Sequence, residues 1–423
     1  MEKADLAIDG TFYIDGLLVK TSVGIRNGRI SSIRRGVEAD ERVAFENSII
    51  LPGAVDLHVH FREPGLTQKE DIDSGSLSAA FGGVTCVGEM PNTVPPAITP
   101  ERVEKKIDLF KKKSYVDFVV YGGLMKGVRV APLSKKAAAF KLFMGSSTGD
   151  LVCDDPELQM ELIRSAAESG KLVIVHAEDE SRRNRISESN LRDHYRSRPP
   201  ECETEAVKRL IGFSNTDYHP RIHVAHATLR ESVEMAHPDN LTFEVTPHHL
   251  LLDYDMHLGT FGKVNPPLRR RDDRIALIRL LNSGLVDTIG SDHSPHTPEE
   301  KADDFDYAPS GIPGVETMLP LMLNLVVNEE MKLETLVRAI SENPSKLLHL
   351  KKGKIAVGYD ADLVVVNLRR TSVIKGDNLH SRCGWTPFEG FSAIFPERVY
   401  LRGKELISGS AIAGRPKARN AAE

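Results

Sequence analysis

Two histidines and an arginine alternate in the segment Asp56–Gly65, which reads DLHVHFREPG. The residues from Ile49 onward are largely apolar, which predicts a buried strand that runs outward into a polar end. Because side chains alternate between the faces of a strand, His58, His60 and Arg62 are expected to point the same way. Neutral imidazoles bind transition metals, and a guanidinium group binds a planar carboxylate. The segment therefore predicts a metal site beside a position that binds an anion.

The middle of the chain alternates short apolar runs of β character with helical patterns. Eight runs can be counted: AVDLHVH, VTCVGEM, VDFVVYG, AFKLFMG, KLVIVHA, IHVAHA, LTFEVTP and VDTIGSD. Between the fourth and fifth runs, Asp155 is the predicted N-cap, Pro156 the first helical residue and Gly170 the end of a helix. Alternation of this kind predicts parallel βαβ units, and eight units predict an α/β fold with a closed (β/α)8 TIM barrel. The active site of such a barrel lies at the carboxyl ends of its strands.

Polar residues, most of them able to bind a metal, follow or end seven of these runs. An isolated HxH pair would be weak evidence, since a chain with 15 histidines holds about half of one by chance. A single buried histidine is also more often a hydrogen-bonded core residue than a ligand. Seven strand ends that carry such residues together indicate one site instead. The residues are His58, His60, Asn92, Lys141, His176, His226, His248 and Asp292.

Four imidazoles and one carboxylate exceed what a single catalytic zinc ion needs, because such an ion keeps about three protein ligands and an open position. We therefore predict a binuclear centre, with metals roughly 3.5–4 Å apart and an anionic bridge between them. Its ligands would be His58, His60, His176, His226 and Asp292.

Lys141 is the residue that we expect to supply the bridge. A buried lysine loses its proton readily, and its neutral amine reacts with CO2 to give a carbamate, an anionic ligand with two oxygens. Without the histidines, the simpler interpretation would be a lysine that reaches solvent at the barrel mouth. Asp150, Asp154 and Asp155 are close enough in sequence to bridge the metals instead. Lys141 is preferred because it lies in a strand, whereas the aspartates lie in a turn and at a helix cap.

The two ends of the chain share a β-rich composition that differs from the middle. Strand-like segments fill the first fifty residues, where Asn27-Gly28 predicts a hairpin, and they return in GKIAVGYDADLVVVNL and RVYLRGKELI. We predict a small β-sandwich domain built from residues 1–51 together with 352–423, and a catalytic barrel of residues 52–351. The polar segment 414–423 is expected to fray.

Composition excludes several classes of function. The net charge is −5 with lysine and arginine dispersed, so no nucleic-acid partner is expected. The N-terminal segment lacks the apolar region of a signal peptide, and no apolar run approaches the length of a membrane span. The four cysteines, Cys86, Cys153, Cys202 and Cys383, form no CxxC pair, which is typical of reduced thiols. The sequence predicts a cytoplasmic protein that binds neither nucleic acid nor membrane.

Several motifs together resemble the cyclic amidohydrolases, and within them the dihydroorotase branch. The resemblance runs nearly from end to end and rests on DLHVHFREPG, GGVTCVGEMPNT, FKLFMGSSTG, VIVHAED, KVNPPLR, GSDHSPHT, GIPGVETMLPL, GKIAVGYDADLVVV and CGWTPFEG. It implies reversible hydrolysis of (S)-dihydroorotate to N-carbamoyl-L-aspartate in de novo pyrimidine (UMP) synthesis, by a hydroxide that bridges the metals.

The resemblance also implies a role for each residue of the metal site. One ion would be bound by His58, His60 and Asp292, and the second by His176 and His226, with the carbamate of Lys141 between them. Two zinc ions per subunit are implied, or other divalent metals in their place. Asp292 would act in addition as general base and then as general acid.

A ring carboxylate separates dihydroorotate from hydantoins, dihydropyrimidines and allantoin. Arg62 is the predicted discriminator, because a bidentate contact between guanidinium and carboxylate is strong and directional; the alternative is a surface arginine in a salt bridge. The other substrate-binding residues implied by the resemblance are His60, Asn92 and His296, of which the last two complete the carboxylate pocket, and Asn265 and Gly311, which hold the ring amide.

Two alternative functions stay open at this stage. One is an allantoinase, hydantoinase or dihydropyrimidinase, and the other is a non-catalytic protein that keeps the fold, although such a protein would be expected to lose metal ligands. His248 and His249 have no assigned role, and a structural one is favoured for at least one of them. The charged segment 179–200 is interpreted as a solvated helix, and residues 290–311 as a loop that closes over the substrate. The oligomeric state, including a homo-oligomer, is left open.

Overall fold

Four strands begin the chain in the computed structural model, which describes residues 3–146 and 151–423. They are β1 (Ala4–Ile14), β2 (Leu17–Arg26), β3 (Arg29–Ile33) and β4 (Ala39–Pro52). β1 pairs antiparallel with β2 and parallel with β4. Asn27 and Gly28 have φ angles of +51° and +77° and form the predicted hairpin between β2 and β3.

The next nine strands form the predicted barrel. They are β5 (Ala54–Val59), β6 (Val84–Glu89), β7 (Asp117–Val120), β8 (Gly122–Leu124), β9 (Phe140–Phe143), β10 (Val173–His176), β11 (Ile222–Val224), β12 (Leu241–Val245) and β13 (Thr288–Ile289). β7 and β8 are two halves of one barrel strand, and the paired strands are parallel. A parallel bridge between Val59 and His293 joins the first strand to the end of the last. All eight runs read from the sequence are barrel strands, and the predicted α/β barrel is confirmed.

Helices lie between the barrel strands and after the last of them along the chain. They are α1 (Ile72–Phe81), α2 (Pro100–Lys113), α3 (Val130–Ser134), α4 (Pro156–Glu168), α5 (Leu191–Ser197), α6 (Pro200–Ser214), α7 (Arg230–Glu234), α8 (Pro247–Leu251), α9 (Arg271–Ser283), α10 (Pro298–Lys301), α11 (Met318–Val327), α12 (Leu333–Val337) and α13 (Asn343–Leu347). As predicted for α4, the side chain of Asp155 accepts the amide hydrogen of Glu157 at 2.9 Å, and Gly170 follows the helix with φ +67°.

Six further strands complete the chain: β14 (Leu363–Val366), β15 (Ser372–Val373), β16 (Ser392–Ala393), β17 (Arg398–Leu401), β18 (Lys404–Ser408) and β19 (Ala411–Ile412). An eight-stranded sheet has the order β19-β18-β17-β14-β4-β1-β2-β3, so both ends of the chain contribute to it. Its apolar side chains, among them Ile8, Phe12 and Val365, form a core separate from that of the barrel. The exact limits 1–51 and 352–423 stay a prediction.

The C-terminal segment does not fray, and that expectation was wrong. Phe118 in β7 donates its amide hydrogen to the carbonyl of Arg419 at 3.1 Å, and Ala421 donates to the carbonyl of Phe118 at 2.8 Å. These bonds satisfy backbone groups of a barrel strand that would otherwise lack a partner. The polar composition of the segment did not indicate this role, because the hydrogen bonds to Phe118 are made by backbone groups.

All four cysteines are free and buried. Within the described ranges, no helix combines the length and the apolar character that crossing a membrane requires.

Candidate metal and substrate site

Two histidines at the end of β5 converge with an aspartate that follows β13. The Nε2 atoms of His58 and His60 lie 3.1 and 3.3 Å from Oδ1 of Asp292. Nδ1 of His58 lies 2.8 Å from Oε1 of Glu244, and Nδ1 of His60 lies 2.6 Å from Oδ1 of Asn92. All five residues are buried. The fold thus brings three of the predicted ligands together and fixes the orientation of both imidazoles.

This arrangement fits a bound cation. Each Nδ1 contacts an acceptor oxygen, so Nδ1 carries the proton and Nε2 presents a lone pair. Both lone pairs face the carboxylate of Asp292, and a cation between them removes the resulting repulsion. Burial lowers the pKa of His58 and of His60, so both rings are neutral, as metal ligands must be.

A second pair of histidines lies beside the first. Nδ1 of His176, at the end of β10, lies 3.0 Å from Nε2 of His226, which follows β11. The ring centroids of His226 and His58 are 5.3 Å apart. Nε2 of His176 lies 2.8 Å from Oε2 of Glu178, which leaves Nδ1 as its ligand atom, and Nδ1 of His226 is buried without a hydrogen-bond partner among the described residues. Nδ1 of His176 and Nε2 of His226 therefore face each other, an arrangement that fits a second cation bound between them.

Lys141 lies on β9, and its buried side chain lines the same cavity as the histidines. Its Nζ has no hydrogen-bond partner in the described part of the chain. Burial lowers the pKa of Lys141 to about 8, against the opposing effect of the carboxylates of Asp292 and Glu244. A partly uncharged, unpartnered amine beside four imidazoles fits the predicted carbamate.

The aspartates considered as alternative bridges do not line this cavity where they are described. Asp154 and Asp155 are exposed, and Asp155 is engaged as the N-cap of α4. Asp150 lies outside the described residues. Of the bridge candidates that the structure describes, Lys141 is the one that lines the cavity.

Three residues of the cavity have left-handed backbone conformations, with φ +62° at Arg62, +40° at His226 and +45° at Asp292. Such conformations cost on the order of 1–3 kcal/mol outside glycine, and they persist where the surrounding structure imposes them. They cluster at functional sites, and here each one follows the end of a barrel strand.

Most of the predicted residues line one cavity: His58, His60, Arg62, Asn92, Lys141, His176, His226, Asn265, Asp292 and Gly311, together with Phe143, Ser294 and Ser310. Only 1% of Arg62 is exposed. Its Nε donates to the carbonyl of Pro295 at 3.1 Å, whereas its Nη1 has no hydrogen-bond partner in the described structure. Burial lowers the pKa of Arg62 to about 10, so the group is still charged at neutral pH. The cavity therefore presents a cation with an unused donor.

His296 is a predicted substrate-binding residue that the cavity lining does not include. It is buried behind Arg62, with its Nε2 3.2 Å from Nη2 of the arginine and 3.1 Å from the carbonyl oxygen of Ser310. Lys69 lies on its other side, with Nζ 3.0 Å from Nδ1. Burial and these cations lower the pKa of His296 well below its usual value. Its geometry is that of a residue that positions Arg62.

Gly311 and Asn265 lie together on the cavity wall. Gly311 has φ +139°, and a Cβ there would lie 2.5 Å from the carbonyl oxygen of Ser294, so a side chain does not fit. Ser310 donates its hydroxyl hydrogen to Oδ1 of Asn265 at 3.2 Å. The backbone next to Gly311 is thus held close to an amide side chain.

Glu244 is the main site residue that the sequence analysis missed. We expected the seventh strand to contribute His248, but it contributes Glu244 from within β12. Besides His58, its Oε1 accepts the amide hydrogen of His226 at 3.2 Å. Burial raises the pKa of Glu244, but the two imidazoles of His58 and His223 outweigh that effect and the pKa is lowered. A single carboxylate inside an apolar strand was the available signal.

His249 is structural, because its ring nitrogens lie 2.8 Å from Oγ1 of Thr246 and 3.1 Å from the carbonyl oxygen of Pro266. His248 is buried beside it.

The interpretation of residues 179–200 as a solvated helix was incomplete. Arg198, which is 3% exposed, donates to Oε2 of Glu178 at 2.6 Å and so holds the partner of His176.

Comparison with known proteins agrees with this geometry. The amidohydrolase family pattern matches residues 49–404. A dihydroorotase of Methanosarcina mazei is 37% identical, over 97% of this chain and 96% of its own, and one of Halobacterium salinarum is 42% identical, over 86% and 87%. Among solved structures, an L-hydantoinase (dihydropyrimidinase) from Arthrobacter aurescens has a TM-score of 0.91 at 27% identity and covers 97% of this chain and 98% of its own. On its sequence and its fold, the chain belongs to the amidohydrolase family.

Proposed function

We propose that the protein is a dihydroorotase, which reversibly hydrolyses (S)-dihydroorotate to N-carbamoyl-L-aspartate in de novo pyrimidine synthesis. The observation that carries this proposal is Arg62, a buried guanidinium whose Nη1 has no partner and which lines the cavity beside the histidines. Leaving such a cation unmatched is costly, so a substrate with a carboxylate is favoured over one without. The rings of hydantoin and dihydrouracil carry no carboxylate.

The other walls of the cavity suit the rest of the ring. Asn92 lines the same cavity as Arg62, while Asn265 and the backbone near Gly311 offer amide groups to the ring amide. His296 keeps Arg62 in place from behind. We assign Arg62 and Asn92 to the carboxylate and Asn265 and Gly311 to the ring, with His60 bordering the reacting carbonyl.

The ligand set is assigned to two divalent cations, which we propose to be zinc. His58, His60 and Asp292 would hold one ion, and His176 and His226 the other, with a carbamate on Lys141 between them. When bound, the ions would polarise the carbonyl under attack and lower the pKa of a coordinated water toward 7. A family relationship to dihydroorotases and the buried, unpartnered Lys141 support this assignment.

Asp292 is assigned the proton transfers. It accepts a proton from the attacking water and delivers it to the ring nitrogen as the carbon–nitrogen bond of the cyclic amide breaks, which leaves a carboxylate and a terminal ureido group. Ring closure runs through the same steps in reverse. The Nε2 atoms of His58 and His60 lie 3.1 and 3.3 Å from Oδ1 of Asp292, so a cation bound among the three groups would hold the carboxylate in place.

A substrate panel tests the proposal. The purified protein is assayed for hydrolysis of dihydroorotate, dihydrouracil, hydantoin and allantoin, and for cyclisation of carbamoyl aspartate. Preference for dihydroorotate by at least about tenfold in kcat/KM is expected, since a missing charge-assisted contact costs about 1.5–3 kcal/mol. Preference for hydantoin or dihydrouracil would assign the protein to the activity named for its structural neighbours instead.

Metal analysis tests the centre separately. About two equivalents per chain are expected after supplementation with zinc and bicarbonate. A protein that binds no metal under these conditions would be a non-catalytic member of the family.

A further inference from the structure

A cavity on the opposite side of the barrel points to a second binding site. Ala138 lines it two residues before β9 begins, Leu172 lies directly before β10, and Arg221 lies directly before β11. The cavity is therefore at the amino ends of the strands, whereas the metal centre is at their carboxyl ends. It measures about 620 Å³, a volume typical of sites for small ligands.

The charge of this cavity is opposite to that of the whole protein. The chain carries a net charge of −5, yet the cavity is lined by six lysines and arginines and two side-chain carboxylates. Lys352 and Arg419 are also offset by aspartates outside the lining, Asp117 and Asp362. The cations are Arg29, Lys171, Arg221, Lys351, Lys352 and Arg419, and the carboxylates are Asp360 and Glu423. A concave surface of one sign focuses the electrostatic potential and concentrates anions.

Both carboxylates are already paired with cations. Asp360 lies 3.0 Å from Nζ of the buried Lys352 and is also bound by Arg419. Glu423 lies 2.8 Å from Nζ of Lys111. They are therefore not free to neutralise the remaining positive charges of the cavity.

Lys171, Arg221 and Lys351 have no carboxylate at ion-pair distance in residues 3–146 and 151–423. Arg221 donates to the carbonyl of Leu347 at 2.5 Å, and burial lowers its pKa. Burial, Arg221 and Lys171 together lower the pKa of His349, which places these groups within electrostatic reach of one another. Like charges held together cost free energy unless an anion binds among them.

We propose that this cavity binds a small ligand that carries a phosphate or diphosphate group. Arg221 matches the oxygen pairs of a phosphate, and Lys171 and Lys351 add point charges beside it. Leu347 and Leu348 line the same cavity and offer apolar surface to a group attached to the phosphate, such as a nucleoside. The site is independent of the reaction proposed for the metal centre.

Isothermal titration calorimetry of the intact, metal-loaded protein tests the site, with pyrophosphate and ADP as separate probes. Saturable binding that weakens with salt is expected. Lys171→Gln and Lys351→Gln are each expected to weaken it about tenfold, and Lys20→Gln, an exposed lysine of β2, is expected to leave it unchanged. Equal affinity for both probes would show that the phosphate groups alone are recognised. Tighter binding of ADP would show that the apolar surface of Leu347 and Leu348 also contributes to binding.

Binding at the metal centre is distinguished by Arg62→Gln, which this proposal expects to bind both probes like the unmodified protein. The proposal is overturned if neither probe binds saturably, if the two lysine variants bind unchanged, or if only Arg62→Gln loses binding. Thermal unfolding of each variant verifies that it is folded, and Lys351 is exposed, so its replacement removes no buried contact.

Discussion

The ammonium group of Lys301 lies 3.1 Å from the carbonyl oxygen of Gly311, a residue of the substrate cavity. Its other acceptors are the carbonyl oxygens of Lys263 at 3.1 Å and Pro309 at 2.9 Å. Lys301 is fully buried, and burial with the nearby charge of Lys263 lowers its pKa to about 7. Three backbone acceptors match the three hydrogens of one ammonium group. Lys301 therefore ties α10 to the two segments that carry Gly311 and Asn265.

Replacement of Lys301 by Met is expected to raise KM for dihydroorotate about tenfold and to change kcat less. The backbone near Gly311 loses its anchor, while the metal ligands keep theirs. Steady-state kinetics measures both constants, and Lys126→Met, at an exposed turn, is the matched control. A fall in kcat with KM unchanged would contradict this role.

Replacement of Arg62 by Gln is expected to lower kcat/KM for dihydroorotate about 100-fold, because one charge-assisted pair contributes about 1.5–3 kcal/mol. Dihydrouracil, which is dihydroorotate without its carboxylate, is expected to be affected far less. The ratio of the two kcat/KM values measures the effect. If both substrates lose activity equally, Arg62 does not bind the carboxylate.

Replacement of Lys141 by Ala is expected to remove bound metal and activity together. Added short carboxylic acids should restore part of both, because they can occupy the space of the missing carbamate. Metal content and turnover are measured with and without acetate. Full metal content and turnover in Lys141→Ala would exclude Lys141 as the bridge.

Reconstitution with zinc and bicarbonate is expected to accelerate as pH rises through about 8. Burial lowers the pKa of Lys141 to about 8, and only the neutral amine, which predominates above that pH, reacts with CO2. The rate of activity recovery is followed from pH 6.5 to pH 9 at constant dissolved CO2. A rate that does not change over this range would contradict the proposed carbamate.

Replacement of Lys352 by Met is expected to destabilise the fold by about 3–5 kcal/mol, since it leaves the buried carboxylate of Asp362 without a cation. Nζ of Lys352 lies 2.7, 3.0 and 2.6 Å from Asp117, Asp360 and Asp362. The exposed pair Lys354–Asp15 provides the control, and Lys354→Met should cost less than about 1 kcal/mol. Urea unfolding measures both variants, and equal effects would show that the buried cluster contributes little.

The sequence was sufficient to predict the barrel and most of the cavity. Polar residues such as His176 and Asp292 stand at or just after the ends of apolar strands, and a shared site explains why so many strands end in this way. Glu244 was not predicted as a site residue, because its role depends on a contact with His58, 186 positions away in the sequence. No local sequence pattern indicates such a contact. Arg198 was missed for the same reason, since a charged helix surface does not reveal that one arginine turns inward.

Backbone contacts set another limit on prediction. The C-terminal segment is polar, and part of its order comes from backbone hydrogen bonds with Phe118, which depend little on residue type. Likewise, the left-handed backbone at Arg62 is imposed by the surrounding fold and leaves no trace in residue type.

The bridge between Val59 and His293 has a consequence for assembly of the fold. His58 and His60 lie on the first strand's side of this junction, and Asp292 lies on the last strand's side. The proposed ion would therefore connect the two strands between which the barrel closes. Binding of the ion and closure of the barrel would then be thermodynamically linked. Removal of the ion by a chelator should accelerate amide hydrogen exchange first in β5 and β13.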